Sequence, residues 1–401
     1  MSDNLPQELL IESDNLPSEI LIDILIRVPV KSLVCFTLVS KSWHALITSP
    51  SFITAHLNRI QHQNDLTSLM LLRRYTSDDL KEHYSLLADE EILSDEDDNG
   101  DNSFALKSTE LRFPVKTGIG YCRIVGSCNG LVCLSHDLFG TTKHITLWNP
   151  SIQKHVTSPL PTINPPLPYM FVLGFGVDSR QDYKVVRIVY HREKDFDYEL
   201  PAEVEVYTLS LGFWRRITSA GLRFYVEDFI WSQAFVNAAV HWIAYQPREK
   251  INGGSFCSLI IAFSMDNEKF NEIMLPDALA NELARNLTIK TYKDSLAVIK
   301  YERGLVNSSC TVWVMKEYGV VESWTRMYSI DLVGKRDRVV GFRKNGHILV
   351  SRESGELATY DPKTCATKKR GIFGSFRAFY ADSFLQTLVL LERQNVVAEE
   401  E

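Results

Sequence analysis

The stretch Gly126-Ser127-Cys128-Asn129-Gly130 has the outline of a nucleophile elbow, in which a thiolate on a sharp turn attacks a carbonyl carbon. That chemistry needs a helix directly after the nucleophile. The next residues, Leu131-Val132-Cys133-Leu134-Ser135, read as a strand and are too few for a helix. Asn129-Gly130 is instead the strongest dipeptide signal for a tight hairpin turn. Cys122, Cys128 and Cys133 lie close in sequence, but no CxxC pair and no matched histidine pair accompanies them, so core positions on strands are a better reading than zinc ligands. His241-Trp242 reads as a strand pair beside the core. There is no HExxH, and Gly118-x-Gly120 lacks the third glycine of a phosphate-binding loop. From these motifs we expect no catalytic residue, no metal ligand and no cofactor.

The elements that carry these residues are of two kinds. The 401 residues are 45% hydrophobic, an ordinary globular composition that allows one to three domains. A formal net charge of -7 argues against a general nucleic-acid surface. No apolar run approaches the ~18 residues of a membrane span. The N-terminus has no basic region of the secretory kind. Seven scattered cysteines then read as reduced and mostly buried, and the expected compartment is the cytosol, the nucleus or both.

Residues 16–47 read as helices. After Pro17, the residues Ile20, Leu21, Ile24, Leu25 and Val28 recur at three- and four-residue steps, which is one apolar helical face. Pro29 ends that helix. Ser32 can cap a second helix carrying Leu33, Phe36, Leu38 and Val39. Ser40 or Lys41 opens a third with Trp43, Leu46 and Ile47, and a fourth lies beyond Pro50. So short a head barely holds a core alone. Each large apolar side chain left in water forgoes roughly 1.5–3 kcal/mol. The surplus apolar face implies a protein partner, unless the head is simply a cap on the β domain.

The residues of the head resemble the F-box motif. Leu16-Pro17, Glu19-Ile20, Ile24-Leu25, Arg27, Val28-Pro29, Ser32-Leu33, Val39, Ser40-Lys41 and Trp43 fit its order and spacing, with Val28 where leucine is common. The resemblance implies a small helical module that docks on a Skp1-type adaptor and, through it, on a cullin-RING ubiquitin ligase. It assigns Leu16, Pro17, Ile20, Leu21, Ile24, Leu25, Val28, Pro29, Leu33, Phe36, Val39, Trp43, Leu46 and Ile47 to the adaptor-binding face or the core beneath it. The stretch 3–11 nearly repeats 14–22, and a short tandem duplication in a frayed terminus accounts for that.

The run 89–101 is strongly acidic and reads as a solvated loop, a better reading of Ser94 than a phosphorylation site. From residue 104 short alternating runs are separated by turn residues. An aromatic strand marker recurs at Trp148, Tyr207, Phe263, Trp313 and Tyr360, at spacings of 59, 56, 50 and 47 residues, near the ~50 of kelch-type blades. Each of the five units ends in a hairpin with a polar turn. A sixth can be assembled from two strands within 68–87 and two at the C-terminus, closing a ring that has no long free edge. We expect a small all-α module and then an all-β, kelch-like propeller of about six blades, with a pair of β-sandwiches as the alternative. The boundaries are a flexible terminus over 1–13, the helical module over 14–60 and a linker with two candidate strands and the acidic loop over 61–103. The β domain covers 104–392, and 393–401 is a disordered acidic tail.

Gly126-Ser-Cys-Asn-Gly130, Leu147-Trp-Asn-Pro-Ser151, the segment 174–188, Val240-His-Trp-Ile-Ala244, 260–276 and 312–324 resemble the F-box-associated domain of plant F-box proteins, often labelled F-box/kelch-repeat. That group includes regulators of immune-receptor levels and pollen S-locus F-box proteins. The resemblance implies a substrate-recognition subunit of a Skp1-cullin-F-box ligase, with an unidentified target protein held by the β domain and no role for nucleic acid or membrane. A non-ligase scaffold and a propeller enzyme are the alternatives. Ala238 stands where the family has a turn glycine, which weakens the reading of a tight hairpin there.

Overall fold

The computed structural model describes residues 17–62, 69–77, 81–91, 106–112, 122–135, 144–164, 166, 169–191, 200–218, 222–226, 233–246, 257–303, 308–332, 334, 336–375 and 378–393. The tandem copy at the N-terminus, Leu16, the acidic run from residue 92 with Ser94, and the acidic tail lie outside the described residues.

Four helices form the head: α1 Ser18–Leu25, α2 Val30–Phe36, α3 Lys41–Ile47 and α4 Pro50–His62. Pro17 and Pro29 each precede a helix rather than open it, with φ of -53° and -58°. The Pro29 carbonyl accepts from the Ser32 and Leu33 amides, so α2 starts before Ser32 and that residue is no cap. The same helix ends at Phe36, which leaves Leu38 and Val39 in the turn beyond it. Ser40 does cap α3, accepting from the Trp43 amide at 3.2 Å. Leu25, Val30, Leu33 and Ile47 are buried together with Phe52, Ile53 and Leu57 of α4. This small core runs without a break into blade residues such as Leu131 and Leu209 and into Leu388–Leu390 near the C-terminus. The inner side of the head therefore is a cap on the β domain.

Beyond the head lie six antiparallel sheets, a six-bladed β-propeller. Blade 1 comprises Arg123–Cys128, Leu131–Ser135, Ile145–Asn149 and Lys154–Thr157. Blade 2 comprises Tyr169–Val177, Tyr183–His191, Glu203–Thr208 and Phe213–Arg216. In blade 3 the short strands Tyr225–Val226 and Ala234–Val236 share one edge of Ala239–Gln246, and Cys257–Ser264 and Phe270–Ile273 complete the sheet. Blade 4 comprises Leu287–Tyr292, Ser295–Arg303, Ser308–Met315 and Trp324–Leu332, and blade 5 comprises Arg338–Phe342, Ile348–Ser351, Glu356–Asp361 and Ala366–Phe373. The first strands meet around the axis: that of blade 1 packs on those of blades 2 and 6, and that of blade 5 on blade 6.

Blade 6 is built from both ends of the chain, in the order Tyr380–Phe384, Leu69–Thr76, Lys81–Glu91, Leu106–Leu111. Its composition differs in one strand from the sequence expectation. The C-terminal region supplies one strand, and the fourth comes from Leu106–Leu111, across the acidic run. Residues 385–393 leave the sheet, and three of their carbonyls are taken by side chains of blade 1. The aromatic markers all fall on third strands, where Tyr207 meets Trp214 at 5.6 Å and Phe263 meets Phe270 at 5.0 Å across the final hairpin.

The turn at Ala238 is a second correction. Val236 pairs with Ala239 across two residues, and Asn237 and Ala238 both adopt positive φ, 51° and 52°. The tight turn persists with alanine in a conformation that suits glycine.

Candidate functional site

The outer side of the head is the apolar surface the propeller does not cover. Ile20 and Ile24, one turn apart on α1, are 49% and 48% exposed. Leu38 and Val39, between α2 and α3, are 86% and 65% exposed. Residues four apart share a helix face, so Ile20 and Ile24 form a row. The turn after Phe36 is closed by the Leu38 amide donating to the Cys35 carbonyl and the Val39 amide donating to the Phe36 carbonyl, which presents two aliphatic side chains to water. Four large aliphatics are exposed on the 46-residue described head, two on α1 and two in the turn before α3, whereas single exposed apolar residues need no explanation.

The residues assigned from sequence, Leu16 aside, divide by depth. Leu25, Leu33 and Ile47 are buried; Leu21, Val28, Phe36, Trp43 and Leu46 are partly buried; Pro17, Ile20, Ile24, Pro29 and Val39 are exposed. Phe36 and Trp43 meet edge to face at 5.4 Å and join α2 to α3. Asp23 and Arg27 pair at 2.8 Å on the exposed side of α1. Leu38 is absent from the assignment, yet it is the most exposed large apolar residue described in the head. Its one signal in the sequence is its place next to Val39, outside the helical period.

The helix α4 joins this face to the propeller. His56 of α4 lies buried with Nε2 3.3 Å from the Val28 carbonyl, and burial holds its pKa below the usual histidine range. Gln61 donates to the Asn129 side chain of blade 1 at 2.8 Å. Between α4 and blade 2 lies a cleft of about 610 Å³ whose walls include Ile53, Leu57, Tyr183, Leu209, Leu390 and Arg393. Across it runs the C-terminal segment. Asn149 Nδ2 donates to the Thr387 and Val389 carbonyls at 2.9 and 2.8 Å, Lys154 Nζ to the Arg393 carbonyl at 2.8 Å, and Arg393 to the Leu209 carbonyl at 3.1 Å. The segment is wedged between head and blades, and it fixes one relative to the other.

The elbow-like pentapeptide is absorbed by this packing. Asn129 and Gly130 have φ of 50° and 78° and close the hairpin of blade 1. A Cβ on Gly130 would run into the Leu385 carbonyl, and one on Gly126 into the Gln233 side chain, which bridges to the Phe175 backbone. Burial pushes the Cys128 thiol far above the usual range, away from nucleophilic use. Cys122, Cys133 and Cys310 are buried as well, Cys257 partly so, and none of the seven cysteines is in a disulfide. His241 is fully buried, its ring bridging the Ala234 carbonyl at 3.2 Å and the Tyr318 hydroxyl at 2.8 Å. Among the described residues no cluster of three or more histidine, cysteine or acidic side chains is placed to hold a metal.

Comparison with known proteins fits this division. The F-box domain model matches residues 13–54, and the F-box associated beta propeller domain model matches residues 89–369. The F-box/kelch-repeat protein At3g23880 of Arabidopsis thaliana is 29% identical over 337 residues, covering 82% of this chain and 79% of its own. The F-box protein CPR1 of the same plant is 29% identical over 330 residues, covering 77% and 71%. The F-box protein At3g07870 is 26% identical over 383 residues, covering 85% and 84%. With one family model on the helical head and the other spanning most of the blades, the chain belongs to the F-box proteins that carry an F-box-associated β-propeller domain.

Proposed function

We propose that this chain is the substrate-recognition subunit of a Skp1-cullin-F-box ubiquitin ligase. The observation that carries the reading is the exposed aliphatic patch of Ile20, Ile24, Leu38 and Val39 on a head whose opposite side is already satisfied by the propeller. Docking recovers part of the roughly 1.5–3 kcal/mol that each such side chain forgoes in water. The chain itself performs no chemistry in this reading. Its propeller holds a target protein, and the wedge of residues 385–393 keeps that protein at a set orientation to the ligase, which raises the effective concentration of its lysines. The compartment we propose is the cytosol, the nucleus or both.

The test is recovery of the tagged full chain from plant cells with the proteasome blocked. Adaptor and cullin should co-purify, together with a protein bearing ubiquitin chains that accumulates only under the block. A chain that recovers the adaptor and whose bound partner carries no ubiquitin is a scaffold instead. A folded chain that recovers no adaptor overturns the proposal.

A further inference from the structure

The cleft between head and propeller takes its walls from three parts of the chain. Helix α4 gives Ile53 and Leu57, blade 2 gives Tyr183 and Leu209, and the C-terminal segment gives Leu390 and Arg393. Its mouth lies at Thr54 and Leu211, both exposed. A volume of about 610 Å³ falls within the roughly 300–1,000 Å³ of small-molecule sites. Water against walls such as Ile53, Leu57, Leu209 and Leu390 finds few hydrogen-bond partners. An apolar body that displaces it is favoured.

The charges of these walls are already matched. Lys184 Nζ lies 3.2 Å from the Asp178 carboxylate and 3.2 Å from that of Glu268, whose other oxygen pairs with Arg215. Arg180 lies 3.6 Å from Asp178, and Arg393 lies 3.7 Å from Glu392. Asp182 accepts from the Ser210 amide at 3.1 Å and from the Ser210 hydroxyl. A charged ligand would have to break one of these pairs or bring an unmatched charge against apolar walls. The walls therefore favour an uncharged one.

One polar group of the walls is unused. Tyr183 is 4% exposed and stacks on Phe175 with ring centres 6.2 Å apart, which fixes its ring. Among the described residues its buried hydroxyl has no hydrogen-bond partner. The Asn129 side chain beside it is committed elsewhere, accepting from Gln61 at 2.8 Å and facing Gln181 at 3.5 Å. Burial pushes the pKa of Tyr183 up, so the hydroxyl stays protonated and remains a donor. A buried donor without an acceptor carries a cost that an acceptor in the cleft would relieve.

We propose that the cleft between head and propeller binds an uncharged, mostly apolar small molecule that carries a hydrogen-bond acceptor, a carbonyl for example, for the Tyr183 hydroxyl. Its apolar body lies against Ile53, Leu57, Leu209 and Leu390. The walls exist only while α4, blade 2 and the C-terminal segment are packed together. A ligand that binds this arrangement stabilises the joint between head and propeller by mass action. The site goes beyond the adaptor reading and does not rest on it.

The probe that tests this is prodan, an uncharged naphthalene with one ketone acceptor, whose emission reports the polarity around it. Titrated into the folded full chain, it should bind saturably, one per chain, with blue-shifted emission. It should slow hydrogen exchange in α4 and in residues 388–393, and leave blades 4 and 5 unchanged. Thr54→Trp puts an indole at the exposed mouth and should weaken binding by at least about tenfold. Tyr183→Phe keeps the walls, removes an unpaired buried hydroxyl without risk to folding, and should weaken binding by about fivefold. Absence of saturable binding overturns the proposal, and so does undiminished affinity in either variant. Protection that falls on α1 and the turn at 37–40 instead places the probe on the exposed aliphatic residues and also overturns it. Adaptor binding enters none of these readouts, so failure here is distinct from failure of the adaptor reading.

Discussion

Ala238 and His241 stand three residues apart in one hairpin and show what single residues add. The positive φ of Ala238 costs an alanine about 1 kcal/mol relative to glycine. Ala238→Gly should therefore stabilise the chain by up to about 1 kcal/mol, read as a shift of the urea midpoint at unchanged slope. Unchanged or lower stability would show that the turn is not strained. His241 makes a pH prediction. Burial holds its pKa down to about 4, against 6.5 for a free histidine. The folded state thus binds the proton less well than the unfolded chain. The contribution of this group is complete above pH 6.5 and lost as the pH falls towards 4. It amounts to roughly 3 kcal/mol over that window. His241→Gln should flatten the acid limb of a stability–pH profile between pH 6.5 and 4 relative to wild type, and an equally steep limb contradicts the account. The strand position of His241 beside the core is legible in the sequence. Its partner Tyr318 lies 77 residues on, at the hairpin turn of the next blade, a contact that no local pattern encodes.

At the scale of elements, local physics is legible and long-range satisfaction is not. The period of Ile20, Leu21, Ile24 and Leu25 and the prolines at 17 and 29 place α1 and the start of α2 within a few residues. The apolar run through Leu38 and Val39 overstates the length of α2. These two belong instead to the exposed turn, outside the chain's own core. The aromatic markers find the third strands because in blades 1 to 5 each stands opposite a valine or isoleucine of the second strand. Asn149 reads as a turn residue, and it is one, accepting from the Ser151 amide at 2.9 Å. Its amide group also holds two carbonyls of the C-terminal segment, 238 and 240 residues away. Asn149→Ala leaves those buried carbonyls without donors and should cost about 2–4 kcal/mol. Hydrogen exchange should then speed up across 385–393 before it does in the blades. Uniform loss of protection, with that segment no faster than the rest, contradicts its role as a wedge.

At the scale of the whole molecule, ring closure by both chain ends is readable because strands are left over at each end. Which segment completes blade 6 is not, since the acidic run separates Leu106–Leu111 from its partner strand without any pairing signal in the sequence. The same closure brings the C-terminal segment under α4, so the head has an inner face fused to the propeller and an outer face left open. The cap reading holds on the inner side of this small module, and the outer side is where we place the proposed interface. The outer face is the central claim, and one binding measurement addresses it. The affinity of the purified full chain for a Skp1-type adaptor is compared with that of the double variant Leu38→Glu, Val39→Glu. Both residues are exposed, so the variant should keep the wild-type melting temperature and lose binding by about a hundredfold or more, on the order of 3 kcal/mol. Undiminished binding by the folded variant would contradict the account and place the adaptor on another surface.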